Sequence, residues 1–190
     1  MLKALRLSNM ERTELLIKAL SYLEDVTPQR FDCGQLCSGE CCKETSRLRC
    51  ALGEENTEMG MLLLPSEDTL LQDSGLTINE RDGRRYAVCG GTCERARRPF
   101  ACRIFPYYAK ITQSGSRDII KIKRDIRAVS FCPLLCARRK IRPSVYFLRN
   151  AKRAVRTLLK DEEIKEALLS ESDAVFELEN FYKAFFGGEK

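Results

Sequence analysis

Leu16, Leu20 and Leu23 recur at helical intervals behind a Ser8/Glu11 pair with capping-box spacing, which predicts a helix from Ser8 that Thr27-Pro28 stops. The pattern then breaks. Residues 31–53 hold few apolar side chains, Gly34, Gly39 and five cysteines, the signature of an irregular ligand loop. The apolar run 61–64 predicts a short buried strand, and Pro65-Ser66-Glu67-Asp68 opens a short helix ending at Gly75. Residues 76–88 read as a hairpin turning at Asp82-Gly83 and delivering Cys89 into Gly90-Gly91-Thr92-Cys93. A second strand pair, 107–111 and 117–126, is predicted around Ser114-Gly115, with Ile120, Ile122 and Ile126 interleaved among charged residues. From Pro143 the period becomes helical, with Val145, Leu148, Ala151, Val155 and Leu158 on one face, and Val175, Leu178, Phe181, Tyr182 and Phe185 mark a final amphipathic helix.

These elements imply an α+β fold in which a small antiparallel sheet and cysteine-rich loops lie between an N-terminal helix and C-terminal helices. The expected organisation is an N-terminal helix over 1–30, a cysteine-cluster metal-binding domain over 31–136, and a C-terminal helical extension over 137–190 packed on the same domain. At 190 residues and 44% hydrophobic content the chain can bury a core without covalent staples, so its ten cysteines require a chemical explanation. Arg6, Glu11, Arg12, Glu14 and Lys18 interrupt the apolar positions of the first 27 residues, leaving no h-region for a signal peptide, and no stretch approaches a membrane span. A cytoplasmic, reducing location follows as the expectation, where clustered thiols favour metal over disulfides. A disulfide framework in an exported protein is the alternative.

The chain contains no histidine, which excludes Ser-His-Asp and Cys-His catalysis and mixed cysteine-histidine zinc sites. Any transition-metal site must be thiolate-rich, and such ligand sets suit zinc or iron-sulfur centres. The formal charge of +6 counts the cysteines as neutral; eight thiolates on two divalent zinc ions would bring it to +2, so the basic pI is no argument for nucleic acid.

Four thiols in FDCGQLCSGECC, spaced C-x3-C-x3-C-C, and three more in CGGTCERARRPFACRIFP, spaced C-x3-C-x8-C, form two dense groups. One divalent ion needs four thiolates converging at about 2.3 Å, which loops from two chain segments can supply. The residues resemble the YkgJ family, whose CxxCxxCC domain is described as zinc- or iron-chelating and is shared with flagellin lysine N-methylase. The resemblance rests on Phe31, the Cys41-Cys42 pair and the run Arg98-Pro99-Phe100-Ala101-Cys102-Arg103-Ile104-Phe105-Pro106, similar to RPxxCRxFP; Cys132-Pro133 is similar to a later CP element. It covers 31–133, and departs from the family in its longer first-loop gaps and its shorter interval from Cys89 to Cys93. The resemblance implies metal ligands at Cys33, Cys37, Cys41, Cys42, Cys89, Cys93, Cys102 and Cys132, enough for two four-coordinate metals or two four-cysteine clusters. Cys50 and Cys136 are left over, and Cys136, four residues beyond Cys132, is an alternative ligand. All-thiolate zinc and an iron-sulfur cluster both fit; the adjacent pair and the Cys-Pro step tip the choice toward iron-sulfur, because neighbouring thiolates reach one tetrahedral ion only with strain.

Arg95, Arg97, Arg98 and Arg103 around Cys102 read as cations that offset thiolate charge, with recognition of an acidic substrate as the alternative. Arg138, Arg139, Lys140, Arg142, Lys152, Arg153 and Arg156 read as a solvated helix face, since no finger, helix-turn-helix or RNP spacing accompanies them. Phe105, Tyr107 and Tyr108 read as core and strand residues. No GxGxxG or P-loop is present. The leading expectation is therefore a metal-binding protein. A metal-dependent protein-modifying enzyme or accessory of N-methylase type is implied only by the resemblance. The third reading is a structural metal site supporting a module whose C-terminal helices dock a protein partner.

Overall fold

The computed structural model describes residues 6–29, 60–72, 74–81, 83–88, 94–129, 132, 135 and 142–186. The ligand loop expected over 31–53 and the segment 89–93 lie outside them. Helix α1, Asn9–Ser21, starts as its sequence dictates. The Ser8 hydroxyl accepts from Glu11 N at 3.4 Å while the Glu11 carboxylate accepts from Ser8 N at 2.9 Å. It ends at Ser21, well short of the expected stop at Thr27-Pro28, because the Leu20 carbonyl is taken by Leu23 N at 2.9 Å and by Arg103 Nη1 at 3.1 Å. A turn and a guanidinium from elsewhere in the chain satisfy the end of the helix.

Strands β1 (Gly60–Leu62), β2 (Thr77–Arg81) and β3 (Arg84–Val88) form an antiparallel sheet in the order β1-β3-β2, so the hairpin predicted over 76–88 is present. Between β1 and β2 the expected short helix is a 3-10 turn, Glu67–Leu70. Helix α2, Phe100–Ile104, leads through a cis Phe105-Pro106 peptide into β4 (Tyr107–Ser114), which pairs with β5 (Arg117–Arg124) from Tyr107↔Arg124 at the open end to Ser114↔Arg117 at the turn. Gly83 at φ 70° and Gly115 at φ 58° supply the left-handed backbone that the two hairpin turns require.

Two helices follow, α3 (Val145–Leu158) and α4 (Glu162–Phe186). Of the expected face of α3, Ala151, Val155 and Leu158 are fully buried and Leu148 packs partly buried on the core, whereas Val145 is 64% exposed and Phe147 and Ala154 complete the buried face. Phe147 sets that face by packing its ring on Tyr107, with centroids 5.6 Å apart. Helix α1 packs on α3, and fully buried alanines 19, 151 and 154 lie in this core. Helix α4 covers β4, where the buried Ser172 hydroxyl accepts from Ile111 N at 3.0 Å and satisfies a donor on the strand's outer edge. Val175 of α4 is buried, but Phe181 and Phe185 are 52% and 69% exposed and stack on each other at 4.4 Å. Among the described residues the result is an α+β fold with an N-terminal helix, C-terminal helices and two small antiparallel sheets. Among the described residues no helix is long and apolar enough to cross a membrane.

Helix α1 meets the start of α4 at a buried ion pair. Asp161, fully buried, accepts Arg12 Nε at 3.1 Å, Leu7 N at 3.2 Å and Ile164 N at 2.9 Å, so it caps α4 while holding α1. Arg12 also reaches Glu163 at 2.9 Å and the Ser66 hydroxyl at 3.4 Å. Removing one member of a buried pair strands the other, so Asp161→Ala is expected to lower unfolding free energy by about 3 kcal/mol in urea titrations. A loss under about 0.5 kcal/mol would show that Glu163 alone holds Arg12.

Candidate metal centre

Two of the eight expected ligands are among the described residues. Cys102 is half-buried on α2, and Cys132 is buried, its amide donating to the Ala128 carbonyl at 2.9 Å. Cys33, Cys37, Cys41, Cys42, Cys89 and Cys93 lie outside the described residues, as do Cys50 and Cys136. Among the described residues no three cysteine or carboxylate side chains converge as a metal-binding group.

The β4–β5 hairpin brings the segments of Cys102 and Cys132 together. Its pairing begins at Tyr107↔Arg124, and Asp125 N donating to the Pro106 carbonyl at 3.0 Å extends it one step toward both cysteines. Phe105, three residues after Cys102, packs against the buried Ala128–Cys132 cluster. Thirty residues of sequence are thus folded back to one end of the hairpin.

Helix α2 has only five residues, too few to stand alone, and is clamped at both ends. At its start, Glu67 Oε1 accepts from Phe100 N at 2.6 Å while Oε2 accepts from Leu64 N at 2.9 Å, a remote cap where Pro99 offers none. Toward its end, Arg103, 5% exposed, donates to the carbonyls of Ala96 at 2.6 Å, Arg98 at 2.9 Å and Leu20 at 3.1 Å. Arg95 donates to the Glu24 and Val26 carbonyls, and Arg97 pairs with Glu94 at 3.3 Å. The described bonds of Arg95 and Arg103 are therefore staples to backbone oxygens, a use that their spacing around Cys102 did not reveal. Burial, and then the charge of Arg95, hold the Arg103 guanidinium below its usual pKa.

On the other side of α2 lies a cavity of about 150 Å³ whose wall includes Phe100, Ala101, Ile104 and Phe105. Tyr86, Tyr107 and Tyr108 line it, and its polar end holds Asp125, Arg127 and Glu171. Asp125 grips Arg127 with both oxygens, at 3.0 Å to Nε and 2.7 Å to Nη2, and Glu171 Oε1 lies 2.7 Å from Nη1. Although burial opposes its charge, the bonds to Asp125 and Glu171 hold Arg127 above the usual arginine pKa. Sequence reasoning passed over Glu67, Asp125, Arg127 and Glu171; an acidic residue two positions before an arginine carries no signal until the fold places both beside a cavity.

Comparison with protein-family models, curated proteins and solved structures returned no match for this chain.

Burial pushes the Glu67 carboxyl up to about 7, against the opposing pull of the Leu64 and Phe100 amides. The native state then keeps a proton that the unfolded chain releases near the ordinary glutamate value of 4.5, so this contribution is present in full below 4.5 and is lost as pH rises through 7. Between pH 5 and pH 8 the loss is expected to be about 2–3 kcal/mol, read as a urea-midpoint difference that Glu67→Gln does not share. Identical pH profiles for the two proteins would remove Glu67 as the titrating group. For Arg103→Lys, charge is kept but the planar fork is lost, and a fall of about 1–2 kcal/mol in stability is expected; unchanged stability would restore a purely electrostatic role.

Proposed function

We propose that this chain is a cytoplasmic, thiolate-only metal-binding protein of the YkgJ type, holding zinc or an iron-sulfur centre through Cys33, Cys37, Cys41, Cys42, Cys89, Cys93, Cys102 and Cys132. The observation that carries the reading is the hairpin's open end, which gathers the Cys102 and Cys132 segments around Phe105 although they are far apart in sequence. The donor chemistry agrees: ten cysteines and no histidine leave thiolate as the available soft ligand. Cys132, buried beside Ala128 with Phe105 and Leu135 packed on it, offers the low-dielectric surroundings in which a thiol is stable as a metal ligand rather than as a bare anion. The bound group would supply a rigid cross-link between loops and, as an iron-sulfur cluster, electron transfer.

A second reading, a metal-dependent protein-modifying enzyme or accessory, is favoured by the cavity that shares α2 with Cys102. A third, a structural metal site beneath a protein-docking helix, is favoured by the exposed Phe181, Tyr182 and Phe185 at the end of α4. Because α3 and α4 supply much of the core, that reading is tested by Phe181→Glu and Phe185→Glu rather than by removing the helices.

Metal analysis with acid-labile sulfide and a UV-visible spectrum on anaerobically purified protein decides the main reading. The expected result is stoichiometric zinc, or iron with sulfide, that falls in Cys102→Ser and in Cys132→Ser but not in Cys50→Ser. A metal-free, folded protein with ten titratable thiols would refute it.

A further inference from the structure

We infer that the cavity behind α2 binds a small-molecule primary amine whose apolar body is about the size of one aromatic ring. At about 150 Å³ the space matches what a single benzene-sized body occupies. Its walls are aliphatic or aromatic, with Met61 and Leu62 from β1, Ile104 and Phe105 from the α2 segment, and Tyr107 and Tyr108 from β4. Such walls favour an apolar group and present π faces that attract a cation.

The polar end decides the head group. Asp125, Arg127 and Glu171 bring two carboxylates against one guanidinium, leaving one net negative charge at the cavity. Asp125, 1% exposed, has both oxygens engaged by Arg127, so it is already neutralised. Glu171 differs. It gives Oε1 to Arg127 Nη1 at 2.7 Å, and with its side chain 27% exposed against 1% for Asp125 its second oxygen, Oε2, is the acceptor within a ligand's reach. An ammonium group supplies N–H donors to that oxygen and a positive charge to the aromatic walls, whereas a carboxylate head would meet Glu171 as a like charge. Arg127 does not serve as an anion site, because its described donors are held by the two carboxylates.

Glu171 and Ala167 project from α4, while the body of the ligand rests on α2 and β4, so the amine bridges elements that meet only through the fold. This inference does not depend on the thiolate reading, since neither cysteine among the described residues lines the cavity.

The test compares three probes with one ring and different heads, benzylamine, benzyl alcohol and benzoate, by calorimetry and ligand-observed NMR on the full chain at pH 7. Benzylammonium is expected to bind about tenfold more tightly than benzyl alcohol, with benzoate weakest. Glu171→Gln should reduce the ammonium preference to near parity, mainly by weakening benzylamine. Ala167→Phe, filling the cavity from α4, should abolish binding of all three probes while the protein still unfolds cooperatively. Should that variant fail to fold, the Glu171→Gln comparison decides alone. Equal affinity for the three heads, tightest binding of benzoate, no binding of any probe, or an ammonium preference that survives Glu171→Gln would overturn the assignment. Metal content measured on the same samples keeps this outcome separate from that of the thiolate site.

Discussion

The buried Arg12 guanidinium and Asp161 carboxylate neutralise each other in the interior, and their pairing joins α1 to the start of α4. Side-chain exposure is 5% and 0%, so each charge is compensated by its partner rather than by water. Asp161 also accepts two backbone amides, one before α1 and one in the first turn of α4, so a single carboxylate fixes where α4 starts and how α1 lies beside it. Once α1 is placed, its last carbonyls present acceptors to Arg103, and α2 is drawn onto the end of α1. The position of Cys102 is thus set through a chain of buried polar contacts that begins at the Arg12–Asp161 pair.

A helix of five residues needs support that local sequence cannot provide. Glu67 and Arg103 supply it to α2 by different physics. A buried carboxyl accepts the otherwise unmatched Phe100 amide, and a planar guanidinium collects three carbonyls that no helix satisfies. One face of α2 then bears Cys102, while Phe100, Ala101 and Ile104 wall a cavity. Placing a candidate ligand and a candidate small-molecule site on one clamped turn keeps both in fixed relation.

Legibility in the sequence followed the range of the interaction. The Ser8/Glu11 capping box, the Gly83 and Gly115 turns and the paired strands after Pro106 depend on neighbours within a few residues and could be read directly. Helix α1 was expected too long because its end is set by Arg103, 83 positions away from Leu20. The Arg12–Asp161 pair spans 149 positions, and Asp161 looks like any acidic residue ahead of Glu162 and Glu163, although an acidic residue three before Ile164 is a recognisable helix start. On α3, Ala151, Val155 and Leu158 are buried as their spacing predicts, while Val145 is exposed and Phe147 joins the buried face because it packs on Tyr107, a partner the local pattern does not show. The cysteines were legible as a group through their spacing alone, whereas the geometry of any ligand set rests on long-range folding.

The β4–β5 ladder acts on the two cysteine segments as a ruler. Because the strands pair without interruption from Tyr107↔Arg124 to Ser114↔Arg117, sliding one past the other by a single residue would shift the segments at the open end by about 3.4 Å and turn every side chain to the opposite face. Metal-thiolate bonds tolerate deviations of only about 0.2 Å. Ile111, held to Ser172, and Asp118, held to Lys165 at 2.7 Å, lock that register from α4. Helix α4 thereby fixes the spacing of the two cysteine segments through its hold on the strands between them, and mutations that loosen that hold would be felt as a change of gauge at the far end.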